Sequence, residues 1–265
     1  MLLKKNILFS CANGIFSIQN IIALSKIKDF KFKIYGLDIE KIKSINSDFF
    51  FKLSSCPDPS THKSKYITFI KNYCLNNNID VFFPMSDREI EVLSNSDLSE
   101  LKTKILIPPK KHIKILTDKF EFLSFLNQNK ITDEEVYKID SLNDLKKLRE
   151  DRKKFRNEIV LKPRQSRGSR GVMIINNKKK FSEPVLNRNC VIGPYEDVHN
   201  YIKQKNINLK NFFLMKYYSN TNFDIDCYAS KSEIRYLVVR RRNWVNHLSS
   251  INEACTIERN LKIEK

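Results

Sequence analysis

The sequence predicts an α/β protein: a doubly wound parallel sheet, followed by a second domain of α+β type. Three observations carry this expectation. In the first part of the chain, short apolar runs alternate with helically spaced segments, the mark of βαβ units and a parallel sheet. In the last part, three segments alternate apolar and polar residues as antiparallel strands do. Between them, Ile159-Val160-Leu161 and Val172-Met173-Ile174-Ile175 flank a loop that holds two of the chain's five glycines.

Taken in order, residues 5–10 read as a buried strand. Ile18, Ile21, Ile22 and Leu24 give 15–27 helical spacing. Residues 32–37 form a second strand, ending at Gly36-Leu37-Asp38, and 66–76 a helix. Strand 79–87 runs into helix 89–93, and Ile105-Leu106-Ile107 is a short strand stopped by Pro108-Pro109. The first domain is expected to end there. A helix at 118–127 and a charged helix at 142–154 follow, then the glycine hairpin, a helix at 196–205, and strands at 212–217, 223–229 and 234–240.

At 265 residues the chain is long enough for two domains. A 41% hydrophobic fraction with 18 Phe and 10 Tyr can fill real cores, which excludes a disordered protein. No apolar run is long enough to span a membrane, and none is expected as a partner. The first nine residues read as a strand and lack the apolar stretch and small-residue cleavage site of a signal peptide. Cys11, Cys56, Cys74, Cys190, Cys227 and Cys255 are scattered with no CxxC pair, which points to reduced thiols and a cytoplasmic protein rather than a disulfide frame or zinc site. The four histidines show no metal spacing. A net charge of +18 suits a nucleic-acid or membrane-surface binder, but the lysines are spread along the chain and no basic–aromatic platform is visible, so nucleic acid is not expected as the main partner.

The hairpin carries the chemistry. It reads Val160-Leu-Lys-Pro-Arg-Gln-Ser-Arg-Gly-Ser-Arg-Gly-Val172, with Lys162 where the first strand ends. The loop's backbone N–H groups and its arginines Arg164, Arg167 and Arg170 could face one anion, and a polyphosphate spreads its charge over several such donors. The spacing is not that of a P-loop. From these residues alone two readings stay open: a phosphate cradle, or a surface hairpin with a solvated basic tip. In the first domain Gly14, at the turn after the first strand, is no dinucleotide fingerprint, because no GxGxxG is present. Asp38 is expected as a turn residue. Asp87 and Glu89 either face the crevice at the sheet's carboxyl ends or are acids favoured at a helix N-terminus.

Several segments in order resemble one family. Residues 79–87 with Glu89 look like the end of a pre-ATP-grasp domain. Thr117-Asp118-Lys119-Phe120, Lys162-Pro163, the Gly168–Gly171 loop with Ser169, and the run from Phe213 to Asp226 complete the series. The chain resembles ATP-grasp ligases of the carbamoyl-phosphate-synthase-like type. The resemblance implies a pre-ATP-grasp Rossmann-like domain over 1–112 and an ATP-grasp domain, incomplete at its C-terminus, over 113–265. It implies ATP as the bound nucleotide and a small carboxylate as substrate, activated as an acylphosphate and ligated to an amine or similar nucleophile.

Residue by residue, it implies that Lys119 and Lys162 hold phosphate oxygens as point charges, with Arg164, Gly168, Ser169 and Gly171 closing the hairpin over them. Lys216 and Tyr218 would read the adenine edge through their backbones, with Met215 packed nearby. Asn222 falls where the family has an acid that grips the ribose, and so supplies a neutral hydrogen bond in its place. Arg240 would stabilise the transferred phosphate, and is the catalytic residue implied.

The largest departure is the family's magnesium site, a pattern like Glu-x-Asn-Pro-Arg. After Arg242 the sequence offers Glu253, Glu258 and Glu264 in no such pattern, so Mg2+ is implied as a cofactor without ligands of its own here. Asp224 and Asp226 are expected to be structural. The chain is expected to end inside the grasp domain, as a fragment, a shortened gene product, or one half of a split enzyme completed by a second chain. Three function classes follow: an ATP-dependent ligase, a catalytically incomplete nucleotide- or partner-binding protein, and a basic nucleic-acid binder.

Overall fold

The computed structural model describes residues 3–40, 49–150, 158–166, 170–183, 190–218, 222–230, 233–243 and 254–259, with no side-chain account for 15–18. The chain divides into two compact units, residues 1–117 and 118–265.

The first unit is built on five parallel strands. These are β1 (Leu3–Phe9), β2 (Phe30–Asp38), β3 (Lys52–Ser55), β4 (Val81–Phe83) and β5 (Lys104–Ile105), in the order β3-β2-β1-β4-β5. The sheet is covered on both faces, which the alternation in β1 makes visible. Leu8 enters a core with Leu37, Phe82 and the helices α2 (Lys63–Asn76) and α3 (Asp87–Ser94). Its neighbours Ile7 and Phe9 enter a second core with Ile34, Phe50 and Ile21 of α1 (Ile15–Ser25). A strand wet on one face would have read apolar-polar; this one is apolar at three successive positions because helices lie on both sides. A fourth helix, α4 (Lys110–Thr117), closes the unit.

The expectation left Asp87 and Glu89 between two readings, and the structure divides them. Asp87 opens α3, with Ser86 as N-cap. Glu89 is only 4% exposed. Its carboxylate accepts from the Ser10 hydroxyl at 2.6 Å and the Tyr66 hydroxyl at 2.6 Å. Ser10 Oγ in turn accepts from the Met85 N–H at 2.7 Å. Glu89 thus ties the end of β1 to α2 and α3. Asp38, expected in a turn, instead ends β2 opposite Ser55, and its carboxylate accepts from the N–H groups of Asn13 and Glu40.

The second unit opens with α5 (Lys119–Gln128) and carries a five-stranded mixed sheet. Its strands are β6 (Val136–Lys138), β7 (Glu158–Pro163), β8 (Met173–Asn176), β9 (Val191–Gly193) and β10 (Phe212–Lys216), in the order β6-β10-β7-β8-β9. β7 and β8 are the antiparallel arms of the expected hairpin, with Leu161 opposite Met173. One face packs on α6 (Leu142–Glu150) and α7 (Tyr195–Gln204) through Leu145, Leu161, Val198 and Leu214. On the other, Val160, Ile174, Phe213 and Met215 meet Phe120 and Leu123 of α5.

A separate three-stranded antiparallel sheet follows, made of β11 (Phe223–Ser230), β12 (Glu233–Asn243) and β13 (Ala254–Ile257). The last three expected strands therefore do not form one sheet. β10 is interior to the mixed sheet, between β6 and β7, while β11 and β12 pair with each other. All six cysteines are free thiols.

Candidate functional site

The site is built on the α5-facing side of the mixed sheet. Cross-strand partners share a face, so Lys162, opposite Phe213, lies on the side of Val160, Met215 and Val136. Its ammonium is held below the usual lysine range, first by burial and also by the positive charge of Lys119, against the pull of Glu134. Positive charge from α5 thus bears on the lysine that ends β7. Positive charge at a half-buried position is what an incoming polyanion would neutralise.

Lys119 is the first residue of α5. Its N–H donates to the Arg164 carbonyl at 2.9 Å and its Nζ to the Ser166 carbonyl, so the helix start is joined to the hairpin loop twice. Asp118 caps the helix, accepting from the N–H groups of Phe120 at 3.0 Å and Glu121 at 3.2 Å.

Arg164 does not face open space. Its Nη2 lies 2.7 Å from Asp118 and 2.8 Å from Glu121, with the guanidinium 5.3 Å from the Phe120 ring centre. Its own N–H donates to the Asn211 carbonyl at 2.8 Å. The two carboxylates hold its guanidinium even more firmly protonated than an ordinary arginine. Within the described loop, the Ser166 hydroxyl donates to the Arg170 carbonyl at 2.6 Å. Gly171 sits at φ +76°, where an added Cβ would come 3.0 Å from Pro163 Cγ. That conformation is open to glycine and costly for other residues. Arg167, Gly168 and Ser169 lie outside the described residues.

Along β10, Met215 is buried and pairs with both Val136 and Val160. Lys216 is exposed, with Nζ 5.4 Å from the Tyr218 ring centre. The Tyr218 hydroxyl donates to Glu134 Oε2, which pushes its pKa up to about 12. Asn222 is exposed, and its carbonyl accepts from the Arg242 N–H at 2.9 Å.

Arg240 lies on the three-stranded sheet and is clamped by Asp226, Nε to Oδ2 at 2.6 Å and Nη2 to Oδ1 at 2.9 Å. That pairing raises its pKa. Next to it Arg242 grips Asp224 through Nε at 2.8 Å, and Arg241 pairs with Glu258 at 3.1 Å. Asp224 and Asp226 are therefore structural partners of arginines. Among the described residues no group of three or more His, Cys, Asp or Glu is placed to hold a metal ion. These residues do not fit magnesium. What they offer is positive charge: Lys119 bonds the hairpin loop at Ser166, and Lys162 stands where that loop leaves β7.

Sequence reasoning missed Glu134 and the Asp118–Glu121 pair around Arg164. For the pair a signal was present, since an acid three residues after an Asp N-cap is an ordinary helix start. Nothing local marks Glu134.

No protein-family model matches the sequence, and neither does any curated protein. Solved structures match its fold. The L-amino acid ligase of Bacillus licheniformis superposes with TM-score 0.66 at 11% identity, over 100% of this chain and 57% of that one. A carboxyaminoimidazole ribonucleotide synthase from Aspergillus clavatus, complexed with ATP, gives 0.61 at 11% identity, over 95% and 56%. The N5-carboxyaminoimidazole ribonucleotide synthetase of Thermotoga maritima gives 0.55 at 18% identity, over 95% and 57%. The chain spans a little over half the length of these structures. Its fold is that of the ATP-grasp ligases.

Proposed function

We propose that the second unit binds ATP and that the protein is an ATP-grasp ligase-like protein. The family reaction, activation of a carboxylate and its ligation to an amine, is its chemistry. The single observation behind this is the placement of Lys119, bonded to the Ser166 carbonyl, and Lys162, near the end of β7, at the root of the glycine hairpin, with the Lys162 ammonium destabilised by burial and by Lys119. Such an arrangement is costly without an anion and favourable with one. The likeness in fold to a synthase complexed with ATP supports the same reading.

In this reading Lys119 and Lys162 hold phosphate oxygens at the root of the hairpin, near Gly171. Met215 offers an apolar surface to the base, and the backbones of Lys216 and Tyr218 read its edge. Arg164 serves by holding the loop on α5. Arg240 reaches the transferred phosphate once Asp226 gives it up, and Asn222 offers a neutral contact to the ribose. The experiment is calorimetric titration with ATP, with and without magnesium. Saturable binding at physiological ionic strength supports the proposal, and none at millimolar ATP overturns it.

A second reading, nucleotide binding without turnover, is favoured by one observation. Asp224 and Asp226 are both paired with arginines, and Arg240 itself is held by Asp226. An ADP-release assay with magnesium and pooled amino and hydroxy acids separates the two.

A further inference from the structure

The amino-terminal ends of β1 and β2 gather lysines on one face of the first sheet. Register pairs Lys4 with Lys31, Asn6 with Lys33 and Leu8 with Tyr35, and Tyr35 in turn with Lys52. Register partners share a face, and Leu8 and Tyr35 pack on α2, so these lysines stand on the α2 side. Lys52 reaches the end of that helix, where its Nζ donates to Asn77 Oδ1 at 3.1 Å. Lys4, Lys31 and Lys33 are exposed. Beside them Phe51 is 61% exposed. Its ring meets that of Tyr35 edge to face at 5.4 Å, and Lys33 Nζ lies 4.4 Å from its centre. A general richness in lysine does not account for this. β1, β2, β3 and α2 carry two, two, one and three lysines but a single acid, Asp38 at the far end of β2, against 48 basic and 30 acidic residues in the whole chain. Among the described residues Lys4, Lys31, Lys33 and Lys52 have no acidic partner, whereas Lys5 is held by Asp80 at 2.8 Å.

We propose that this face of the first unit binds single-stranded nucleic acid, its lysines taking backbone phosphates and Phe51 stacking on a base. The inference does not rest on the ATP reading of the second unit. Lys31 and Lys33, two residues apart on one strand, project about 6.6 Å from each other, and Lys4 stands across from Lys31. The charge therefore forms a row, which suits a chain of phosphates better than a single anion. A base offers Phe51 a flat partner, and stacking of this kind tolerates any sequence. As the base takes its place on the ring, the Lys33 ammonium exchanges a cation–π contact for a phosphate. An anionic membrane would also attract the lysines. A membrane anchor, however, inserts several apolar side chains together, and here the exposed ring is pinned by Tyr35 among charges. The sequence shows no such platform because Lys4, Lys31 and Phe51 come from three separate segments.

The test is fluorescence anisotropy of a labelled oligothymidylate and of an abasic strand of equal length, titrated with the intact chain over a range of salt, with and without ATP. We expect the oligothymidylate to bind about tenfold tighter, the value of one stacked base. Phe51→Ala should bring the two strands together, and Phe51→Trp, which keeps a ring, should preserve the difference. Lys31→Glu with Lys33→Glu should weaken both strands and lower the salt slope by about one for each lysine. Lys203→Glu with Lys205→Glu, the same change of charge at the exposed end of α7, should do neither. ATP should leave the strand bound. Equal affinity of the wild type for the two strands, equal effects of the two charge changes, or displacement by ATP overturns the assignment. So does binding to phosphatidylserine vesicles with none to either strand, which would make the face a membrane contact.

Discussion

The guanidinium of Arg164 grips the carboxylate of Asp118 in three contacts, Nε to Oδ1 at 3.2 Å, Nε to Oδ2 at 2.9 Å and Nη2 to Oδ2 at 2.7 Å. Asp118 is 7% exposed and at the same time caps α5. One carboxylate therefore fixes both the helix that starts at Lys119 and the loop that follows Lys162. Lys119 and Lys162 are thereby held in one frame by the pair of residues that flank them in sequence.

Replacing Asp118 by Ala should destabilise the second unit by about 2–4 kcal/mol, since it removes an N-cap and strands a partly buried arginine. Asp118→Asn keeps an acceptor for the cap and should cost less. Urea unfolding followed by a probe in the second unit distinguishes them; equal, small losses would show that the ion pair contributes nothing.

Lys162→Met should weaken ATP binding by about tenfold or more, the loss of a charged hydrogen bond, without loss of stability. Because burial lowers the lysine's pKa in the folded state, the unfolded chain holds more protons between that value and 10.5. The wild type therefore gains stability as pH rises through that window, and the variant does not. At neutral pH Lys162→Met should be at least as stable as the wild type. A large drop in melting temperature would contradict this.

Gly171→Ala should cost about 1–2 kcal/mol from its left-handed backbone alone. The contact with Pro163 adds to it. Pro163→Ala relieves the contact but not the backbone, so the double variant should recover only part of the loss in thermal denaturation.

Glu89 should make the first unit less stable as pH rises. Burial lifts its pKa above the ordinary carboxylate value, despite the hydrogen bonds from Ser10 and Tyr66. Between the two values the folded state holds the extra proton, so stability is greatest at the acidic side and falls through that window. Glu89→Gln should flatten the dependence. Unfolding midpoints from pH 4 to 8 that run parallel for both proteins would rule it out.

How much of this was legible depended on where the partners of each residue lie. By itself, the sequence determined the parallel sheet of the first unit, since Ile7-Leu8-Phe9 can be buried at three successive positions between two layers. It also determined the arms of the hairpin and the place of Lys162 at a strand end, because apolar periodicity and a glycine loop are local signals. β3, β6, β9 and β13 were not legible. Each has three or four residues, too few for a period, and each is a strand because a longer neighbour supplies its hydrogen bonds. The same holds at the site. Lys119 lies 47 residues from the Ser166 carbonyl, Arg164 lies 46 from Asp118, and Glu134 lies 84 from Tyr218. Which carboxylate holds Arg164, and which carbonyl holds Lys119, is settled by groups brought together from distant parts of the chain. Only the tertiary structure decides those encounters.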